Sequence, residues 1–201
     1  MCTPGKISLG VRVPQNDLAL KLLSAVDFPL AAPSANVSTK LSATTPQSVA
    51  QNFSQYPDLL IIDGGKCKFG LESTIVDLSE EEPVIVRLGA LTQNQLEEVC
   101  HCHFQRKSEH IAKHYQTSKP LITNAAKVGS NDALLAFGKP IPGSKYCLNL
   151  SLRGDLWEAA KNLFDMLQTL DASDAGCIKV MPIPNEDIGK SINEILDSAK
   201  I

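Results

Sequence analysis

The sequence predicts an α/β protein built as two successive units. Short β-branched runs alternate with amphipathic helical stretches along all 201 residues. Two strand-like runs, residues 74–78 and 83–87, are separated only by an acidic turn, which makes the first sheet mixed, not purely parallel. Periodicity then fades, and a second series of strands and helices starts at Pro120. The expected division is residues 1–104, a linker at 105–118, and residues 119–201.

In the first unit, Ile7, Leu9, Val11 and Val13 alternate with Ser8, Gly10 and Arg12, the pattern of a half-buried strand ended by Pro14. Asn16 is placed to cap a helix through Val26, with Leu18, Leu22, Ala25 and Val26 as its apolar stripe. A polar loop covers residues 34–45, and Thr45-Pro46 supplies a cap and first-turn proline for a second helix through about Phe53. Residues 59–63, Leu-Leu-Ile-Ile-Asp, read as a buried strand stopped by Gly64-Gly65. After the hairpin, Thr92 and Gln95 form a capping-box signature opening a helix through Val99.

The second unit reads as strands near residues 120–123, 132–137 and 145–150, then the clearest helix of the chain, residues 155–170. Leu156, Ala159, Ala160, Leu163, Phe164, Leu167 and Leu170 recur there at helical spacing. A strand at 177–181 and a helix from about 186 to 199 complete a small open α/β sheet.

Composition narrows the function classes. With 43% hydrophobic and 20% charged residues, the chain is an ordinary globular one, neither disordered nor fibrous. No apolar run approaches the roughly 18–20 residues of a membrane span, and Met1-Cys2-Thr3-Pro4-Gly5-Lys6 lacks a signal core, so a cytoplasmic chain is expected. The net charge of −3 gives no basic footprint for nucleic acid. Six scattered cysteines are expected as reduced thiols packed like small hydrophobes.

Three places carry polar residues that strand patterning does not use. One runs from Ala31-Ala32-Pro33-Ser34-Ala35-Asn36 to Ser42, where small residues and neutral hydrogen-bonding groups suit a ligand. Another is Glu72-Ser73-Thr74, ahead of a β-branched strand. The third is Arg87, which with Arg12 would offer two guanidinium groups to a phosphate or carboxylate.

These segments carry a resemblance. Gly10-Val11-Arg12-Val13-Pro14, Pro29-Leu30-Ala31-Ala32-Pro33-Ser34-Ala35-Asn36, Glu72-Ser73-Thr74-Ile75-Val76-Asp77 and Val86-Arg87-Leu88-Gly89-Ala90 follow in the order of the Sua5/YrdC/YciO family. The stretch from Gly154 to Asp171, and Ile183-Pro184 with Ile188-Gly189-Lys190-Ser191-Ile192-Asn193, resemble the smaller Sua5 domain. The resemblance implies an incomplete YrdC-like twisted mixed sheet followed by a small Rossmann-like open α/β domain. It also implies L-threonylcarbamoyladenylate synthase activity, a nucleotidyl transfer from L-threonine, bicarbonate and ATP that serves the threonylcarbamoyladenosine modification of tRNA.

Carried over residue by residue, the resemblance assigns Ser8, Ser34, Ser42, Arg87 and Tyr115 to ATP or the adenylate. It assigns Arg12, Ala32 and Ser73 to threonine, with Asn36 and Thr74 as further pocket candidates. ATP enters as substrate with Mg2+ on its phosphates, and no protein-bound metal is implied. Partners so implied are the small-molecule substrates, tRNA or tRNA-modification proteins, and either self-association or a chain supplying a missing N-terminal segment. No membrane partner is implied.

Departures from the family pattern matter as well. Relatives carry roughly another hundred residues ahead of Gly10-Val11-Arg12, a length consistent with a complete domain. The expectation is therefore a chain with weak or no synthase activity alone; the alternative is a non-catalytic module that binds nucleotide, RNA or a partner. Of the family's basic and aromatic linker patch, only His114-Tyr115 keeps its look, and Asn193-Glu194-Ile195-Leu196 stands where the family prefers Asn-Asp-Arg-Leu. Cys100-His101-Cys102-His103, with His110 and His114, offers zinc-type ligands at a spacing unlike that of structural zinc sites.

Overall fold

Twelve helices and strands are described in the computed structural model, which covers residues 8–107 and 115–200. In the first unit, α1 (Asp17–Ser24) begins where Asn16 accepts from the Ala19 amide, and α2 (Pro46–Asn52) begins where Thr45 accepts from the Ser48 amide. The hairpin forms as read, from β1 (Ile75–Asp77) and β2 (Val84–Arg87), with a register irregularity between Ile75 and Val76. Next, α3 (Gln93–Cys100) carries the full Thr92/Gln95 capping box and ends on His101 in the left-handed conformation. The chain then returns as β3 (Gln105–Arg106), parallel to β2, so two residues of the expected linker join the first sheet. Order β1-β2-β3 with one antiparallel and one parallel pair makes this sheet mixed.

Two expected strands do not form among the described residues, outside which Ile7 of the first one lies. Residues 8–13 and 59–63 belong to no ladder, and their apolar side chains face solvent: Val11 is 86% exposed and Leu60 84%. An alternating sequence becomes a strand only where a neighbouring backbone takes its donors and acceptors. Among the described residues no strand pairs with either segment. The apolar stripe of α1 is also uncovered, and Leu18 and Leu22 stay exposed although the cap forms as expected.

The second unit is a four-stranded parallel sheet in the order β4 (Leu121–Ile122), β7 (Cys177–Val180), β5 (Asp132–Ala136), β6 (Tyr146–Asn149). On it packs α4 (Leu156–Asp171), and against α4 packs α5 (Ile188–Ser198). Asp155 caps α4 by accepting from the Trp157 and Glu158 amides. The predicted stripe of α4 is buried from Ala159 to Leu170 and forms the main core with Ile178, Val180, Ile188, Ile192 and Leu196. Burying several such side chains at about 1.5–3 kcal/mol each makes this the stable body of the molecule.

That core reaches into the first unit. Leu41 belongs to it, as does Tyr115 of the expected linker, and the Tyr115 and Phe164 rings lie 5.3 Å apart. The Ser191 hydroxyl donates to the Gly89 carbonyl at 2.9 Å, and Arg106 pairs with Glu194. At Gly70, with φ of +68°, a Cβ would lie 2.4 Å from the Lys161 carbonyl oxygen, so only glycine permits this approach.

The cysteines depart from expectation. Cys67, Cys100, Cys102 and Cys147 are free and exposed, and Cys177 is free and half-buried. No helix among the described residues is long and apolar enough to cross a membrane.

Candidate functional site

A cavity of about 180 Å³ lies in the first unit, with Phe164 of the second unit forming part of its wall. Five of the sequence candidates line it: Arg12, Ser34, Asn36, Ser42 and Ser73. Thr44, Cys67, Gly70, Leu71, Glu72 and Phe164 complete most of the wall. Arg12 reaches across 61 positions to donate from Nη1 to the Ser73 hydroxyl at 3.3 Å. It has no acidic partner among the described residues, so its charge is available to an anion.

Glu72 organises the wall behind Ser73. It accepts from the Ser42 hydroxyl at 2.5 Å and pairs with Arg87 Nη1 at 3.1 Å. Arg87 donates from Nη2 and Nε to the Ser73 carbonyl, at 2.6 and 3.2 Å. The strand exit packs closely here: a Cβ on Gly89 would sit 2.2 Å from the Glu72 carbonyl oxygen, and the next amide, Ala90, donates to that oxygen. Buried Tyr115 stands beside this pair. Burial, with Glu72 adding to it, raises its phenol above the ordinary range, while Arg87 opposes the shift.

Two polar atoms of the wall lack partners. Asn36 donates from Nδ2 to the Val37 and Lys40 carbonyls, but its Oδ1 is buried without a donor. Thr44 Oγ1 is likewise buried and unpaired, although the Thr44 carbonyl accepts from the Cys67 amide at 2.9 Å. A buried unpaired polar atom costs about 1–3 kcal/mol, and a ligand can supply the missing bond.

The remaining candidates stand apart from the cavity wall. Ser8 and Ala32 are exposed and do not line it. Thr74 ties β1 to Leu91, giving its hydroxyl hydrogen to that carbonyl and accepting from that amide. Arg87 and Tyr115 support the wall from behind. The Glu72-Ser73-Thr74 cluster is visible in the sequence, but the role of Glu72 behind the wall is not, nor are Thr44 and Phe164. The last had no separate signal, because a wall residue and a core residue look alike on a helical stripe.

The zinc-type ligands do not converge where they are described. Cys100 and Cys102 are exposed, and His103 Nδ1 meets Glu97 at 2.7 Å. Among the described residues no three His, Cys, Asp or Glu side chains group to hold a metal ion, and His110 and His114 lie outside those residues.

A family model for the Sua5/yciO/yrdC region, described as telomere recombination, matches residues 1–89. The model described as threonylcarbamoyl-AMP synthase, C-terminal domain, matches residues 91–199, more than half of the chain. The chain belongs to the Sua5 family. A threonylcarbamoyl-AMP synthase of Pyrococcus abyssi is 31% identical over 98% of the chain and 65% of its own length. A Bacillus subtilis threonylcarbamoyl-AMP synthase is 38% identical over 48% of the chain and 28% of its own length. The crystal structure of P. abyssi Sua5 complexed with L-threonine superposes with a TM-score of 0.82 at 26% identity, covering 94% of this chain and 62% of that one. The chain thus spans about two thirds of the length of this Sua5 relative, slightly less by either comparison. A second P. abyssi structure, with an adjacent His–Tyr pair replaced by alanine, gives a TM-score of 0.75 at 25% identity, covering 94% of this chain and 60% of that one.

Proposed function

We propose that the cavity binds L-threonine and the adenylate of a threonylcarbamoyl-AMP synthase. The reaction joins L-threonine, bicarbonate and ATP into L-threonylcarbamoyladenylate and diphosphate. The observation that carries this reading is the convergence of Arg12 and Ser73 on one cavity. The fold's likeness to a Sua5 bound to L-threonine supports it. An unneutralised guanidinium beside a hydroxyl suits an amino-acid carboxylate. In this proposal Arg12 and Ser73 hold threonine from the cavity wall, and Ala32, which stands off that wall, is assigned to threonine by the family resemblance alone. Ser34 and Ser42 serve the nucleotide from the wall with Asn36 in support, Arg87 and Tyr115 back that wall, and Ser8 and Thr74, off the wall, are assigned by the family resemblance alone.

The chemistry asks little of a nucleophile on the protein. A carbamate oxygen replaces diphosphate on the α-phosphorus, and positioning with charge neutralisation supplies the acceleration. Magnesium belongs to the substrate MgATP. The proposed setting is cytoplasmic, with the product passed on for tRNA modification.

Calorimetric titration with L-threonine, paired with threonine-dependent diphosphate release, tests the proposal. Saturable threonine binding that Arg12→Ala weakens at least tenfold is the expected result. Unchanged affinity in that variant would overturn the assignment.

A second reading is favoured by the exposed apolar segments 8–13 and 59–62. In it the chain works with a partner polypeptide, or with its own copies, laid along those segments. Light scattering distinguishes the two: a single monomeric species up to high concentration opposes self-association.

A further inference from the structure

Lys161, Phe164, Asp165 and Gln168 fall at spacings of three, four and seven along α4, one stripe of a helix. That stripe faces the first unit. The Lys161 backbone meets Gly70, Phe164 forms cavity wall, and Asp165 pairs with Lys66 at 2.8 Å. Gln168 uses both ends of its amide on the ligand loop. Its Nε2 donates to the Ser42 carbonyl at 2.9 Å, and its Oε1 accepts from the Ser48 hydroxyl at 3.1 Å. Ser48 is also bonded to Thr45, the cap of α2, and Ser42 gives its own hydroxyl to Glu72. Residues 42–48 are therefore pinned between a helix mounted on the main core and the carboxylate behind the cavity.

We propose that Gln168 is a positioning residue for the nucleotide end of the cavity. It fixes the Ser42 backbone so that the Ser42 hydroxyl and the wall beside it are set before ligand arrives. The inference rests on the reading that this cavity holds threonine and adenylate, and it adds an asymmetry. Gln168 reaches Ser42, whereas Arg12 and Ser73 are held by bonds within the first unit. Gln168 thus acts directly on the nucleotide end of the cavity and touches neither of the residues proposed to hold threonine.

The test compares Gln168→Leu, which removes both bonds, with Gln168→Glu, which keeps the acceptor for Ser48 and loses the donor for Ser42. AMP and L-threonine are titrated separately into each protein. AMP affinity should fall about tenfold in Gln168→Leu, less in Gln168→Glu, while threonine affinity stays within about twofold. Hydrogen exchange supplies a readout without ligand. The Cys67 amide, which donates to the Thr44 carbonyl, and the Val49 amide, which donates to Thr45, should exchange about tenfold faster, with β5 and β7 unchanged. Equal weakening of both ligands, or unchanged exchange at Cys67, overturns the proposal. Failure of the wild-type protein to bind either probe brings down the functional reading instead, and the exchange measurement still decides the clamp.

Discussion

Glu72 and Arg87 meet at 3.1 Å behind the cavity, and each holds a different part of its wall: Glu72 the Ser42 hydroxyl, Arg87 the Ser73 carbonyl. The pair is only about a quarter exposed, so neither charge is well solvated if the other is removed. Glu72→Gln keeps the shape and deletes the charge. It should lower unfolding free energy by about 1–2 kcal/mol, allowing for residual solvent screening. Because Glu72 helps to raise the Tyr115 phenol, the same variant should lower the Tyr115 midpoint in an ultraviolet absorbance titration. An unmoved midpoint would contradict the arrangement described.

Thr44 predicts a trade between stability and binding. Its hydroxyl is buried and unpaired in the ligand-free chain, and valine has nearly the same shape. Thr44→Val should stabilise the free protein by about 1 kcal/mol, read as a higher urea midpoint. The same change should weaken whichever ligand bonds to that hydroxyl. A variant with unchanged stability and unchanged affinity for both AMP and threonine would refute the role given to this atom.

Asp132 sets an acid limit for the second unit. The Lys179 ammonium bonded to it, then the Gly129 amide and the Cys177 thiol, hold its carboxyl down to about 2. An unfolded aspartate titrates at about 3.9. The folded state therefore binds fewer protons, and this stabilisation is full above pH 4 and lost as pH falls toward 2. Urea midpoints measured across that window should drop for the wild type, and the part of the drop owed to this group should vanish in Asp132→Asn.

Asp187, immediately before α5, has φ of 42° and ψ of −126°, with no side-chain bond to the helix amides. Such a conformation is nearly free only for glycine. Asp187→Gly should raise stability by about 1 kcal/mol, a shift of a few degrees in Tm for a chain of this size. A lower Tm would show that the carboxylate contributes something the geometry does not reveal.

The elements with local causes were legible in the sequence. Caps at Asn16, Thr45 and Thr92 rest on side chains bonding amides three positions away. The stripe of α4 is periodic enough to read directly. Residues 8–13 and 59–63 do not form strands because a ladder depends on a second segment, which neither alternation nor an apolar run can supply. The site divides in the same way. Arg12, Ser34, Asn36, Ser42 and Ser73 stand in polar clusters that draw notice, and all five line the cavity. Gln168 and Phe164 lie far along the chain on a helix, and only folding brings them beside Ser42 and the cavity.

Phe164 is at once one of the most buried side chains of the second unit and part of the cavity wall. Ligand binding and the melting of α4 are therefore thermodynamically linked. Any ligand that occupies the native cavity stabilises the second unit along with the first, by an amount set by its concentration relative to its dissociation constant. Calorimetry should accordingly show one transition that moves upward as ligand is added, with no separate ligand-insensitive melting of the C-terminal unit.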